Sequence, residues 1–400
     1  MKKAKTILLL VSSVVLLASC RGRSGGGSLT ARGKLPSGGV EIDLTTESGM
    51  EKLKDAATHT ISAYADLNLD SVGLDLILEN TSYEAEAKNI NYQNMFKSPA
   101  SASIKLSNLG AKVSLKAAKS STGGIDASVG LNDVKGKIDV NASLPGPISS
   151  DGTFGPNASI SSSLDISGAN ANVYFCEPNV YVDLSGLDGT VLKTETFLNK
   201  ILVGLKQTCL ADVISGTAFD EQGRLPLVSY YNEAIPNKRF YSYSGNSEWP
   251  DFSQYAANVS EIDFSQLSAL LVQYKISTKF IIYEEGTFGL QFNMSKGTLE
   301  LLLNSALGTN ATLSHILAVV NDSINKYDVS AAFYFKDYLL TSAGFGLDYD
   351  ANVKNIGDFA SSDVGITGSL SVKAACTIST KISYGGVKVS FPDFSNYVEK

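Results

Sequence analysis

The feature that most constrains this chain is a two-residue rhythm. Leu109, Ala111, Val113, Leu115 and Ala117 alternate with Lys112, Ser114 and Lys116, and a side-chain period of two belongs to a strand with one apolar face. The rhythm recurs in Leu74, Leu76 and Leu78, in Ile125, Ala127, Val129 and Leu131, and in Ile138, Val140, Ala142 and Leu144. Shorter runs follow at Ala158-Ile160, Leu164-Ile166 and Val180-Val182-Leu184. Turn-prone clusters, "SSTGG" (Ser120 to Gly124) and "SSDGTFG" (Ser149 to Gly155), separate the runs. Residues 61–185 therefore read as an antiparallel meander. Ile276–Tyr283 and Phe288–Met294 flank "EEG" as a hairpin, and Val329, Ala331, Phe333 and Phe335 begin a closing meander that runs to Phe391.

Helices punctuate this pattern. Ser48 followed by Glu51 forms a capping box, with Met50, Leu53 and Ala57 on one face behind it. Phe197, Ile201, Leu205 and Cys209 mark a helix over 194–215, and Leu299–Leu307 and Leu313–Ile324 read as two more, hinged at Gly308. The fold class predicted is mainly β: an antiparallel meander sheet forming a curved half-barrel packed on a few helices. One β-rich domain over 46–400, or two lobes at 46–190 and 191–400, both fit this order. The apolar faces differ along the chain, because residues 1–200 hold nine aromatic residues and 201–400 hold twenty-seven. The first strands are paved with Ala, Val, Leu and Ile, the later ones with Phe and Tyr.

The N-terminus has a different logic. Lys2, Lys3 and Lys5 precede an apolar run, Ile7 to Leu17, that is shorter than the ~20 residues a membrane span needs. Residues 1–19 therefore read as a signal peptide. Leu17-Ala18-Ser19-Cys20 resembles the bacterial lipobox. That resemblance implies a diacylglycerol on the Cys20 thiol, cleavage before Cys20, and a protein on the extracytoplasmic face of a bacterial cell membrane. Residues 20–45, with the tract "RGRSGGGSLTARGKLPSGG" (Arg21 to Gly39), read as a flexible tether whose basic residues favour an anionic lipid surface. The formal charge is −7, or −7 − 3 = −10 without the three signal lysines. An acidic body with no further basic cluster argues against nucleic acid as a partner.

Catalytic chemistry finds little support. His59 and His315 are the only histidines, each in a predicted helix with no second histidine four residues on. "GNSEW" (Gly245 to Trp249) lacks the closing glycine of a nucleophile elbow, and no phosphate-binding or dinucleotide fingerprint occurs. Asp348, Asp350 and Asn352 imitate a calcium loop, but Val353 and Phe359 replace its glycine and glutamate; alternating polar residues on a strand explain them better. No enzyme, cofactor or metal reading follows. Beyond Cys20 stand Cys176, Cys209 and Cys376, an odd set that leaves a Cys176–Cys209 bridge and three buried thiols both open.

Leu225 to Tyr255 gathers Tyr230, Tyr231, Phe240, Tyr241, Tyr243 and Trp249 with Pro226, Pro236 and Pro250, without steady periodicity. Such a segment acts as a lid over an apolar pocket or as a loop glued to the sheet by its own rings, and ligand contacts are sought here first. "WPDFSQY" (Trp249 to Tyr255) echoes "FPDFSNY" (Phe391 to Tyr397), which reads as an aromatic-stapled turn in both places. The order of elements, and the phrase "NVYVDLSG" (Asn179 to Gly186), resemble the LolA and LppX/LprG group of envelope lipoproteins. The resemblance implies a half-barrel that shields acyl chains without catalysis. Two functions remain open: a carrier of lipids or other hydrophobic molecules in an apolar cavity, or a non-catalytic structural or adhesive surface module without one.

Overall fold

The computed structural model describes residues 34–67, 69–93, 95–214, 223–234, 237–243, 248–249, 265–307, 318–359 and 365–400. Residues 1–33, which include the expected signal peptide and Cys20, lie outside them, as do Pro236, Pro250, His315 and residues 313–317 of the predicted Leu313–Ile324 helix; its described part, 318–323, is helical. The fold is mainly β, an open, curved antiparallel sheet packed on a few helices, as the alternation predicts.

The strands are β1 (Val40–Ile42), β2 (Ser71–Tyr92), β3 (Ala100–Lys119), β4 (Ile125–Leu144), β5 (Ala158–Cys176), β6 (Asn179–Asp183), β7 (Lys238–Ser242), β8 (Ser277–Glu284), β9 (Thr287–Ser295), β10 (Ile324–Lys336), β11 (Leu339–Val353), β12 (Ile366–Tyr384) and β13 (Val398–Glu399). Among the described residues they form one sheet, ordered β1-β8-β9-β10-β11-β12-β2-β3-β4-β5-β6-β7-β13. The β13–β7 pair is parallel and the others are antiparallel. The helices are α1 (Glu47–Ala65), α2 (Asp188–Leu205), α3 (Ala211–Ile214), α4 (Leu227–Ala234), α5 (Ser265–Gln273) and α6 (Lys296–Leu307).

Strands β2 to β5 are 19 to 22 residues long, so the short runs read from the sequence join into single strands. What joins them is a row of bulges. The register slips near Asn80, Asn108, Asp133 and Gly168, which carry φ of 49°, 53°, 55° and 71° on four adjacent strands. Asn, Asp and Gly tolerate the left-handed region, and each extra residue inverts the alternation while bending the strand. On β5 the apolar positions are thus even from Ile160 to Ile166 and odd from Ala169 to Phe175. Asn170 clamps two of these bulges, its Nδ2 donating to the Gly168 carbonyl (2.7 Å) and its Oδ1 accepting from Asp133 N–H (3.2 Å).

The sheet therefore keeps one continuous apolar face and one polar face. On the polar face Lys112 pairs with Asp75, Lys137 with Asp139, Lys326 with Asp348 and Lys373 with Asp350. Asp348 and Asp350 are thus strand residues with lysine partners. The helices lie on the apolar face. α1 sets Leu53 and Ala56 against Phe280 and Phe288, and Tyr64 against Phe333, Leu340 and Tyr384. α2 crosses β5 where Gly204 meets Ile160: a Cβ there would stand 2.6 Å from Ile160 Cγ1, so only glycine allows this approach.

Three expectations change. The α1 cap is Thr46, whose side chain accepts from Gly49 N–H, rather than Ser48; two residues earlier it is the first that leaves the helical region (φ −93°, ψ 151°). The flexible tether expected over 20–45 does not extend through residues 34–45. From Lys34 the chain is a strap on the polar face, with Leu35 buried beside Gly289 and its N–H donating to Gln291 (3.1 Å); β1 then pairs to β8, and Leu44 is buried on the other face with Leu53 and Phe280. The third concerns the thiols: Cys176, Cys209 and Cys376 are free. Cys176 pairs with Asp126 at the start of β4, whereas Cys209 N–H donates to the Pro145 carbonyl just beyond its end. Some eighteen residues of strand, up to about 3.3 Å each, separate the two cysteines, far beyond a disulfide's reach even along a bent strand.

Candidate functional site: the helix-bearing face

The aromatic segment does not close as one lid. Tyr230 is exposed on α4. Tyr231 is structural, its hydroxyl donating to the Leu184 carbonyl (2.7 Å) and to Asp188 (3.1 Å). Burial first, and then Asp188, push its phenol up to about 12. Phe240 belongs to the polar face, beside Tyr181 at 5.5 Å between ring centroids. Trp249 packs on the core around Tyr64 and Tyr384 and donates from Nε1 to the Leu69 carbonyl (2.6 Å). Tyr241 and Tyr243 are the two that stand at the apolar face: Tyr241 is in register with Val180, and the Tyr243 ring meets Phe175 edge-on at 6.1 Å.

The C-terminal "FPDFSNY" is a stapled turn, as its sequence suggests. Asp393 accepts from the Ser395 N–H and hydroxyl, which holds its carboxyl below the usual range. Phe394 stacks on Tyr181 at 3.6 Å, with Tyr397 edge-on to both rings. Its counterpart lies outside the described residues beyond Trp249.

What sequence reasoning missed is a row. Leu74, Leu115, Val129, Val173, Val182 and Arg239 are direct cross-strand partners on β2, β3, β4, β5, β6 and β7. Direct partners project to one side of a sheet, so the six share the apolar face. Its centre is uncovered: Leu115 is 36%, Val129 41% and Val173 38% exposed, against near-zero exposure for Phe280 and Tyr384. Tyr241 and Tyr243 beside the row are 41% and 48% exposed. The alternation finds the apolar parity of these residues, but only the placement of the helices leaves them open. Arg239 carried one weak signal, a charge at the apolar parity of "KRFYS".

The polar face holds a cavity of ≈730 Å³ under the strap, lined by Gln291, Asn293, Ser330, Asp348 and Thr377 among others. Such a lining suits water rather than an acyl chain. Among the described residues, no His, Cys, Asp or Glu side chains group to hold a metal, and no helix is long and apolar enough to cross a membrane.

No family model matches the chain, and no curated protein matches it. Among solved structures, the outer-membrane protease OmpT of Escherichia coli is similar at 8% identity and a TM-score of 0.18, over 80% of this chain and 99% of that one. A β-barrel-like protein with a domain of unknown function from Brucella abortus is similar at 5% identity and a TM-score of 0.12, over 79% and 99%. Scores this low carry no inference about this chain. Its class rests on its own architecture, an open antiparallel sheet with a polar outer face and a partly uncovered apolar face.

Proposed function

We propose that this chain is a lipoprotein of the extracytoplasmic face of a bacterial membrane, anchored by a diacylglycerol on Cys20, that holds lipids or other hydrophobic molecules against the helix-bearing face of its sheet. The observation that supports the binding role is the exposed row Leu115-Val129-Val173, three aliphatic side chains in register on adjacent strands. Covering such a patch with an acyl chain removes apolar surface from water on both partners. The anchor reading rests on the lipobox-like "LASC" (Leu17 to Cys20), and two or more acyl chains hold a protein stably where one does not.

The test is native mass spectrometry of residues 21–400, which retain every described contact, followed by organic extraction. A lipid released in near-stoichiometric amount is the expected result. A bare mass with no uptake of added lipids would overturn the binding role in favour of a surface structural or adhesion module. For the anchor, a radiolabelled palmitate pulse in the producing cell labels the chain and fails to label Cys20→Ala; equal labelling sinks it.

A further inference from the structure

We propose that the molecule bound on this face is a long-chain fatty acid, its carboxylate on Arg239 and its chain along Val182, Val173, Val129 and Leu115. The inference rests on the hydrophobe-binding reading above and adds the chemistry of the head group and the direction of the chain.

Arg239 ends the aliphatic row. It is the direct partner of Val182, whose partner is Val173, followed by Val129 and Leu115. The four strand steps from Arg239 to Leu115 are about 4.8 Å each, or about 19 Å. An extended chain advances about 1.2 Å per bond, by the geometry that lets three backbone bonds span about 3.5 Å. A chain of about sixteen carbons therefore reaches from the guanidinium to Leu115.

The charge at the end of the row is unspent. The neighbouring carboxylates are engaged elsewhere: Asp188 accepts from the Tyr231 hydroxyl (3.1 Å) and twice from the Asn237 amide (2.9 and 3.1 Å). Asp183 accepts from the Ser185 hydroxyl (2.6 Å) and pairs with Lys238 at 3.7 Å. Arg239 makes no ion pair among the described residues, and its Nε–H is buried with no acceptor there. The buried Nε–H is out of a ligand's reach, so a carboxylate on this face would take its two parallel bonds from the terminal Nη groups of the guanidinium. The Tyr241 ring, 5.7 Å from Cζ, holds the guanidinium at the edge of the face.

A single guanidinium balances one negative charge, which disfavours a phosphomonoester; a phosphodiester carries the same single charge as a carboxylate and is the competitor the titration includes. One row of exposed side chains, flanked by the less exposed Ala117 and Ala127 on one side and Val113 and Leu131 on the other, suits one chain rather than two.

Calorimetric titration of residues 21–400 with palmitate, monopalmitoylglycerol and lysophosphatidylglycerol, each below its aggregation concentration, tests the assignment. Palmitate should bind at least tenfold more tightly than monopalmitoylglycerol. Arg239→Gln should erase that preference and leave the neutral lipid unchanged, whereas Arg239→Lys should keep part of it. Val129→Asp, at an exposed position, should abolish binding of all three. Equal binding of palmitate and monopalmitoylglycerol, unaffected by Arg239→Gln, would overturn the head-group assignment while leaving hydrophobe binding intact. Tighter binding of lysophosphatidylglycerol would overturn the choice of a carboxylate. Failure of all three to bind the unsubstituted chain would overturn the hydrophobe-binding reading itself. Unchanged circular dichroism of each variant confirms that folding is not what is being read.

Discussion

Tyr64 and Tyr384 meet hydroxyl to hydroxyl at 3.5 Å and between them satisfy both backbone groups of Leu340. The Leu340 N–H donates to the Tyr64 oxygen (3.2 Å), and the Tyr384 hydroxyl donates to the Leu340 carbonyl. Leu340 lies just before the register slip at Thr341 and before the first β12 partner, Ser342, so side chains take up its backbone groups. Tyr384→Phe should cost about 1–3 kcal/mol, the penalty of a buried acceptor left unmade. Adding Tyr64→Phe should cost less than the sum of the single changes, because the two hydroxyls share one network. Urea unfolding of the four forms measures this, and strict additivity would show the network to be two independent bonds.

The exposed row and the true core respond differently to truncation. Val129→Thr should shift stability by no more than about 0.5 kcal/mol, as at other uncovered positions. Phe280→Ala should cost about 3–5 kcal/mol, because its ring is fully buried between α1 and the sheet. Chemical denaturation compares the two. A core-sized loss for Val129→Thr would mean that the row is covered, and would remove the surface on which the binding proposal depends.

Alkaline pH should weaken the fold between pH 10 and 12. Burial, and then the neighbouring Asp188 or Asp183, push the phenols of Tyr231 and Tyr397 up to about 12 from 10. Below pH 10 both folded and unfolded chains keep these protons, so the contribution is whole. Above it the unfolded chain releases them first, and stability falls as pH rises through the folded values. Thermal midpoints from pH 8 to 12 should show the decline, shallower in Tyr231→Phe. An identical slope in that variant would show that Tyr231 is not a source of it.

Residues 21–400 should carry three titratable thiols after denaturation without reductant, since Cys176, Cys209 and Cys376 are free. Cys176 should be alkylated slowly in the native state. Burial, and then Asp126, raise its thiol and so reduce the reactive thiolate. A single titratable thiol would instead reveal a bridge.

The strands were legible because a half-covered sheet writes its burial into every second residue, as at Ala111 to Ala117. Their length was not, because the bulges at Asn80, Asn108, Asp133 and Gly168 invert that parity in mid-strand and imitate a break. Helix α2 was anticipated at 194–215, yet it begins at Asp188 and ends at Leu205. The first turns carry no apolar stripe to announce them, while the predicted end ran through the turn at Thr208. At the site, Tyr241 and Tyr243 were anticipated on composition alone. Leu115, Val129 and Val173 looked like any strand interior, since which part of a face the helices leave open depends on contacts between distant segments.

The seam between β2 and β12 has a consequence in time. Leu78 and Ile378 are partners about 300 positions apart, and at about 5–20 residues per second the ribosome needs roughly 15–60 s to travel from one to the other. Through that interval one whole edge of a 22-residue strand offers bare amides and carbonyls beside its leucines, the arrangement on which aggregates are templated. Until β12 arrives, that edge is therefore where one incomplete chain is most open to pairing with another.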